Sequence, residues 1–117
     1  MATKVSPAQI LVSVNDTSVT ANTTSYTVKA SDAGSIVVMN NTNAVTIYIP
    51  DFNAVPFPKG TEIILVQRGG VATVQPANGN VTLVGSGNKY KTNGTNSGIC
   101  VINIGQNLWF VGGDRSA

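Results

Sequence analysis

The chain has 117 residues and a mass of 12.1 kDa, enough for one hydrophobic core and too short for a second. Seven basic residues against five acidic ones leave a net charge of +2, too weak a field for a dedicated nucleic-acid or acidic-membrane surface. There is no histidine and only one cysteine, which excludes a His-containing catalytic triad, a Cys/His zinc site and an internal disulfide framework.

Charged residues make up 10% of the chain, against roughly 25% in an average domain, so its 13 Asn, 13 Thr, 12 Gly and 9 Ser must cover much of the surface. Val (16) and Ile (9) far outnumber Leu (4), Met (2) and Glu (1), which is the composition of strands rather than helices. Ser6, Pro7, Gln9 and Ser13 interrupt the opening segment, so no export signal is expected and synthesis in the cytosol is. Strictly apolar runs reach only four residues, as in Ile63-Ile64-Leu65-Val66, far short of the roughly 18 that suggest a membrane span.

In chain order, residues 1–24 read as an arm or strand pair, with strands over Gln9–Val14 and Ser18–Ala21. Residues 25–117 read as a β-sandwich domain. Its expected strands are Tyr26–Lys29, Ser35–Met39, Ala44–Ile49, Glu62–Gln67, Val71–Gln75, Asn80–Val84, Lys89–Thr92, Gly98–Ile104 and Leu108–Val111. Turn signals every 8 to 12 residues or so suit an all-β sandwich or jelly roll. Gly69-Gly70, Asn78-Gly79, Asn93-Gly94 and Gly105-Gln106-Asn107 supply residues that tolerate the positive φ of tight hairpin turns, so most connections are expected to be antiparallel hairpins. Pro50, Pro56 and Pro58 each lack a backbone donor, which makes Pro50–Gly60 a loop that carries the chain between sheets. Ser31-Asp32-Ala33-Gly34 allows one helical or 3₁₀ turn, and almost no other helix is expected.

In Ala44–Pro50, Val45, Ile47 and Ile49 alternate with Thr46 and Tyr48, the pattern of a strand with one wet face. Ile36–Met39 and Ile63–Val66 are apolar on both faces, which calls for cover from a second layer or from another chain. Val37, Met39, Ile63 and Leu65 are therefore candidates for a contact between identical subunits. A closed homo-oligomer would also protect strand edges that carry little Lys or Glu.

Signals for chemistry are weak. Asp16, Asp32, Asp51, Glu62 and Asp114 lie no closer than 11 residues apart, so they form no local metal cluster or carboxylate pair and read as turn or surface acids. Cys100 shares a strand face with Ile102 and Ile104 and reads as a small hydrophobe. Gly85-Ser86-Gly87-Asn88-Lys89 lacks phosphate-loop spacing and reads as a turn. Tyr48, Tyr90 and Trp109 are the candidates for surface recognition, although a large aromatic near a chain end, as Trp109 is, more often closes a core or interface. Neither a catalytic residue nor a cofactor, metal, nucleic-acid or membrane partner is expected.

From Tyr26 onward the order of motifs resembles a β domain that recurs in tailed-bacteriophage fibre, tail-spike and head-decoration (cement) proteins. The motifs are Tyr26-Thr27-Val28, Ser31-Asp32-Ala33-Gly34, Val45-Thr46-Ile47 with Ile49-Pro50, and Phe57-Pro58-Lys59-Gly60-Thr61-Glu62-Ile63. Val66-Gln67, Asn80-Val81-Thr82-Leu83 and Trp109-Phe110-Val111-Gly112-Gly113-Asp114 complete the series. The resemblance implies a non-enzymatic virion protein and a trimer. Residues 1–24 hold neither heptads nor a Gly-x-y repeat with which to build a shaft. That favours a capsid decoration protein bound to the major capsid protein or other virion proteins over a receptor- or glycan-binding fibre or tail tip.

Overall fold

Val- and Ile-rich runs that alternate in and out form two packed sheets in the computed structural model, which describes residues 12–16, 19–20 and 22–117. The strands are β1 (Val14–Asn15), β2 (Ser25–Thr27), β3 (Ile36–Met39), β4 (Val45–Ile49), β5 (Glu62–Gln67) and β6 (Ala72–Pro76). They continue with β7 (Thr82–Val84), β8 (Lys91–Thr92), β9 (Gly98–Gly105), β10 (Leu108–Gly113) and β11 (Arg115–Ser116). Sheet I has the order β1-β3-β5-β9-β10-β7 and sheet II the order β11-β8-β6-β4-β2. Two three-residue 3₁₀ turns, Ala30–Asp32 and Ser86–Asn88, complete the described structure. The all-β sandwich expected from composition is the observed fold. Both ends of the expected strand Ser18–Ala21 and the first half of Gln9–Val14 lie outside the described residues. Val14–Asn15, within the segment read as an arm, pairs with β3 as part of sheet I.

The connections differ from the expected hairpins. Five of the nine strand pairings among the described residues are parallel: β1 with β3, β3 with β5, β2 with β4, β4 with β6, and β7 with β10. From β1 to β9 the chain alternates between the sheets, so β1 to β6 form a two-layer coil in which each strand pairs with the one a full coil later. One coil advances the chain from Val14 to Ile36, and the next from Ile36 to Ile64. Of the expected hairpin turns, only Gly105-Gln106-Asn107 joins neighbouring antiparallel strands, β9 and β10. Turn-forming residues show where a chain reverses, but not whether it returns in its own sheet or in the facing one.

Gly69-Gly70 shows what the other turns do. The β5–β6 turn stacks on the β3–β4 turn, with the Arg68 N–H donating to the Met39 carbonyl at 2.9 Å and the Gly70 N–H to the Asn41 carbonyl at 2.8 Å. The Asn40 N–H extends the stack to the Val19 carbonyl at 2.9 Å. A Cβ on Gly69 would stand 1.9 Å from the Asn41 carbonyl oxygen, so glycine is required by close backbone approach rather than by a hairpin. Gly69→Ala is expected to cost about 3 kcal/mol or more by forcing stacked backbones apart. Chemical denaturation would measure it, with Gly79→Ala as the control, since a Cβ there meets no atom within 4 Å.

The inner faces meet in one core of Val37, Met39, Ile63, Leu65, Ile99, Val101, Trp109 and Val111 from sheet I against Tyr26, Val45, Ile47, Ile49, Ala72 and Val74 from sheet II. The Pro50–Gly60 loop crosses between the sheets as expected and carries Phe57 into this core, where its ring meets Trp109 edge to face at 5.4 Å and 86°. Asp32, read from sequence as a turn or surface acid, is buried. It accepts hydrogen bonds from the Tyr26 hydroxyl (2.6 Å), the Asn15 side-chain amide (2.9 Å) and the Lys29 N–H (2.8 Å), which ties β1 to the turn after β2.

Two assignments are corrected by this packing. Val37, Met39, Ile63 and Leu65 were candidates for a subunit contact, yet all four are fully buried between the sheets. Trp109 was a candidate for surface recognition, but it is 1% exposed in the core. In both cases alternation identifies a residue's face, and only the second sheet shows which face is inside.

Candidate association face

The residues next to those four build the outer face of sheet I. Strand register aligns Val14, Ile36, Ile64, Cys100 and Gly112 in one row across β1, β3, β5, β9 and β10. A second row holds Val38, Val66 and Gly98, and a third Glu62, Ile102, Phe110 and Val84. Val14 is 60% exposed, Ile104 42% and Phe110 39%. Ile36, Val38, Ile64, Val66, Cys100 and Ile102 are half-buried, shielded by their neighbours in the sheet. Glu62 is the single charge in the three rows. Gly112 leaves a hollow that the Phe110 ring covers, since a Cβ there would stand 2.7 Å from the ring. Cys100 lies on this outer face with Ile102, as its alternation indicates, half-buried rather than enclosed.

Sheet II shows the opposite surface. Its outer rows read Ser25, Thr46, Thr73, Lys91, Ser116 and Thr27, Tyr48, Gln75. Hydroxyl, amide and ammonium groups there find water as readily as they would find a partner. Tyr48 belongs to this polar face and is half-buried. The sandwich thus has one face suited to solvent and one whose side chains are those of a core.

With strands about 4.8 Å apart and same-face residues about 6.8 Å apart, the apolar rows span on the order of 400 Å² in projection. Contiguous apolar patches of about 300 to 600 Å² are the largest that monomers usually expose, and such patches commonly mark contact surfaces. Sequence reasoning pointed to these strands, since Ile36–Met39 and Ile63–Val66 are apolar on both faces, but the alternate residues it singled out, Val37, Met39, Ile63 and Leu65, are those that face the core.

A polar cluster closes the end of the sandwich where the Pro50–Gly60 loop crosses. Asp51 Oδ2 accepts from the side-chain amides of Asn80 (2.8 Å) and Asn78 (3.2 Å), and Oδ1 from the Asn53 N–H (3.0 Å) and the Asn107 amide (3.4 Å). Asn107 Oδ1 in turn accepts from the Phe52 N–H at 2.7 Å. The Asn80 amide first, then the Asn53 N–H, with smaller help from Asn78 and Asn107, bring the Asp51 carboxyl from 3.8 down to about 2. A lowered folded-state value means that the stabilisation is present above 3.8 and is lost as pH falls through about 2. The side-chain amide resonances of Asn78, Asn80 and Asn107 are therefore expected to move together with a midpoint near pH 2, and in Asp51→Asn this transition should be absent. The cluster fastens three loops to one another, and every Asp51 oxygen has its donors.

Among the described residues, no three of His, Cys, Asp and Glu come together as a metal site, and no helix is long and apolar enough to cross a membrane. Comparison with protein-family models, curated proteins and solved structures returns no match.

Proposed function

We propose that this chain is a non-enzymatic bacteriophage virion structural protein, a trimeric capsid decoration protein that binds and stabilises the head shell. The observation that carries the reading is the contrast between the two outer faces. Val14, Ile36, Val38, Ile64, Val66, Ile102 and Phe110 form an apolar surface that identical copies would cover, while the threonine-rich face of sheet II stays wet. The order of motifs from Tyr26 to Asp114 supports the virion assignment and the trimer. A molecule that binds only the assembled lattice stabilises it by mass action, and three linked copies multiply weak contacts through effective concentration.

The direct test is co-sedimentation of the purified protein with expanded, undecorated capsids. Saturable binding at micromolar concentration, with a raised capsid melting temperature, is the expected result. No binding in that range would contradict the reading.

A further inference from the structure

A cleft of about 460 Å³ lies beside β6, lined by Val74, Pro76, Val81, Leu83 and Tyr90 together with Thr73, Gln75, Asn88 and Lys91. It exists because sheet II stops early on this side. β8 pairs with β6 at Thr73 and Lys91 alone, and the Val74 N–H donates to the Tyr90 carbonyl at 2.8 Å. The next donor on that edge would belong to Pro76, which has none. The chain turns away at Ser86–Asn88, with Gly87 and Asn88 at positive φ (71° and 53°), and Asn88 is left at the rim.

Volume and lining narrow the occupant. Small-molecule sites run from about 300 to 1,000 Å³, with an apolar floor and a few placed polar groups, and this cleft fits that description. A peptide strand fits poorly, because Pro76 offers no N–H and the Leu83 carbonyl on β7 already accepts the Tyr90 hydroxyl at 3.1 Å. A phosphate-bearing ligand fits poorly as well, since Lys91 is the one cation in the lining and no helix N-terminus faces it. What remains is neutral hydrogen bonding above an apolar floor with one aromatic ring. Thr73, Gln75 and Lys91 have no side-chain hydrogen-bond partner among the described residues, so their groups are available.

We infer that this cleft is a carbohydrate-binding site for one or two sugar units, with Leu83, Pro76 and Tyr90 beneath the sugar's C–H face and Thr73, Gln75, Asn88 and Lys91 bonding its hydroxyls. The inference is independent of where on a particle the protein sits, and it involves none of the apolar face of sheet I.

The test is amide chemical-shift mapping of the ¹⁵N-labelled protein with glucose, galactose, N-acetylglucosamine and galacturonate as probes. Expected are saturable shifts at residues 73–76, 83 and 88–91 with at least one probe. Affinity should fall about tenfold or more in Gln75→Ala and in Lys91→Ala, with Thr46→Ala unchanged. Gln75 and Lys91 are exposed, so these variants keep the fold, and an unchanged melting temperature and capsid binding would verify it. Absence of saturable shifts with all four probes would overturn the inference, as would shifts indifferent to both variants, or adenosine monophosphate or decanoate occupying the cleft in place of every sugar.

Discussion

Replacing Trp109 with alanine is expected to lower stability by about 3 to 5 kcal/mol, the usual cost of truncating a large buried aromatic. Trp109 stands on the inner face of β10, 1% exposed, against the edge of Phe57. Its loss removes sheet I's largest core side chain and leaves the crossing loop that carries Phe57 without its partner. Domains of this size hold about 5 to 15 kcal/mol in all, and each kcal/mol corresponds to roughly 4 to 8 °C. Thermal denaturation of Trp109→Ala should therefore show a fall of more than about 10 °C, or no cooperative transition at all. A surface recognition residue would behave differently, with stability within about 0.5 kcal/mol of the parent. Trp109→Phe, which retains an aromatic in the hollow, should recover much of the loss.

Ile64→Lys is expected to abolish self-association while leaving the subunit folded, and Ile63→Lys to unfold the subunit. These neighbours have opposite fates because alternation puts Ile64 in the central outer row and Ile63 in the core. An ammonium buried between apolar faces without a partner costs several kcal/mol per copy, and in a closed assembly the cost recurs in every copy. In the dissociated subunit of Ile64→Lys the introduced ammonium reaches water along its aliphatic stem, so the circular dichroism of this variant should remain that of a sheet protein. Thr73→Lys, on the polar face of sheet II, should change neither mass nor fold. Size-exclusion chromatography with light scattering separates the three outcomes. A parental mass for Ile64→Lys would show that copies meet elsewhere.

Strand positions were largely legible because alternation is a local property. Glu62–Gln67 is observed with the bounds read from sequence, and Val45, Ile47 and Ile49 point inward as their spacing from Thr46 and Tyr48 indicates. Sheet connectivity was not legible, because Gly69-Gly70 gives the same signal in a hairpin as in a turn stacked on another turn. Whether Asp32 is buried depends on partners at Asn15 and Tyr26, and no single-residue rule places these beside it. The cleft beside β6 is beyond sequence reading for a similar reason. Pro76 announces the end of a ladder, but which strand is thereby kept away is a fact of the folded sheet. Arg115–Ser116, a strand that pairs with β8, has none of the apolar alternation that marks the others.

In the proposed assembly, identical copies cover the outer face of sheet I. Sedimentation equilibrium of the unmodified protein tests it most directly. One species with three times the 12.1 kDa chain mass, unchanged over a wide concentration range, is the expected result. A species of single-chain mass persisting at high concentration would contradict it.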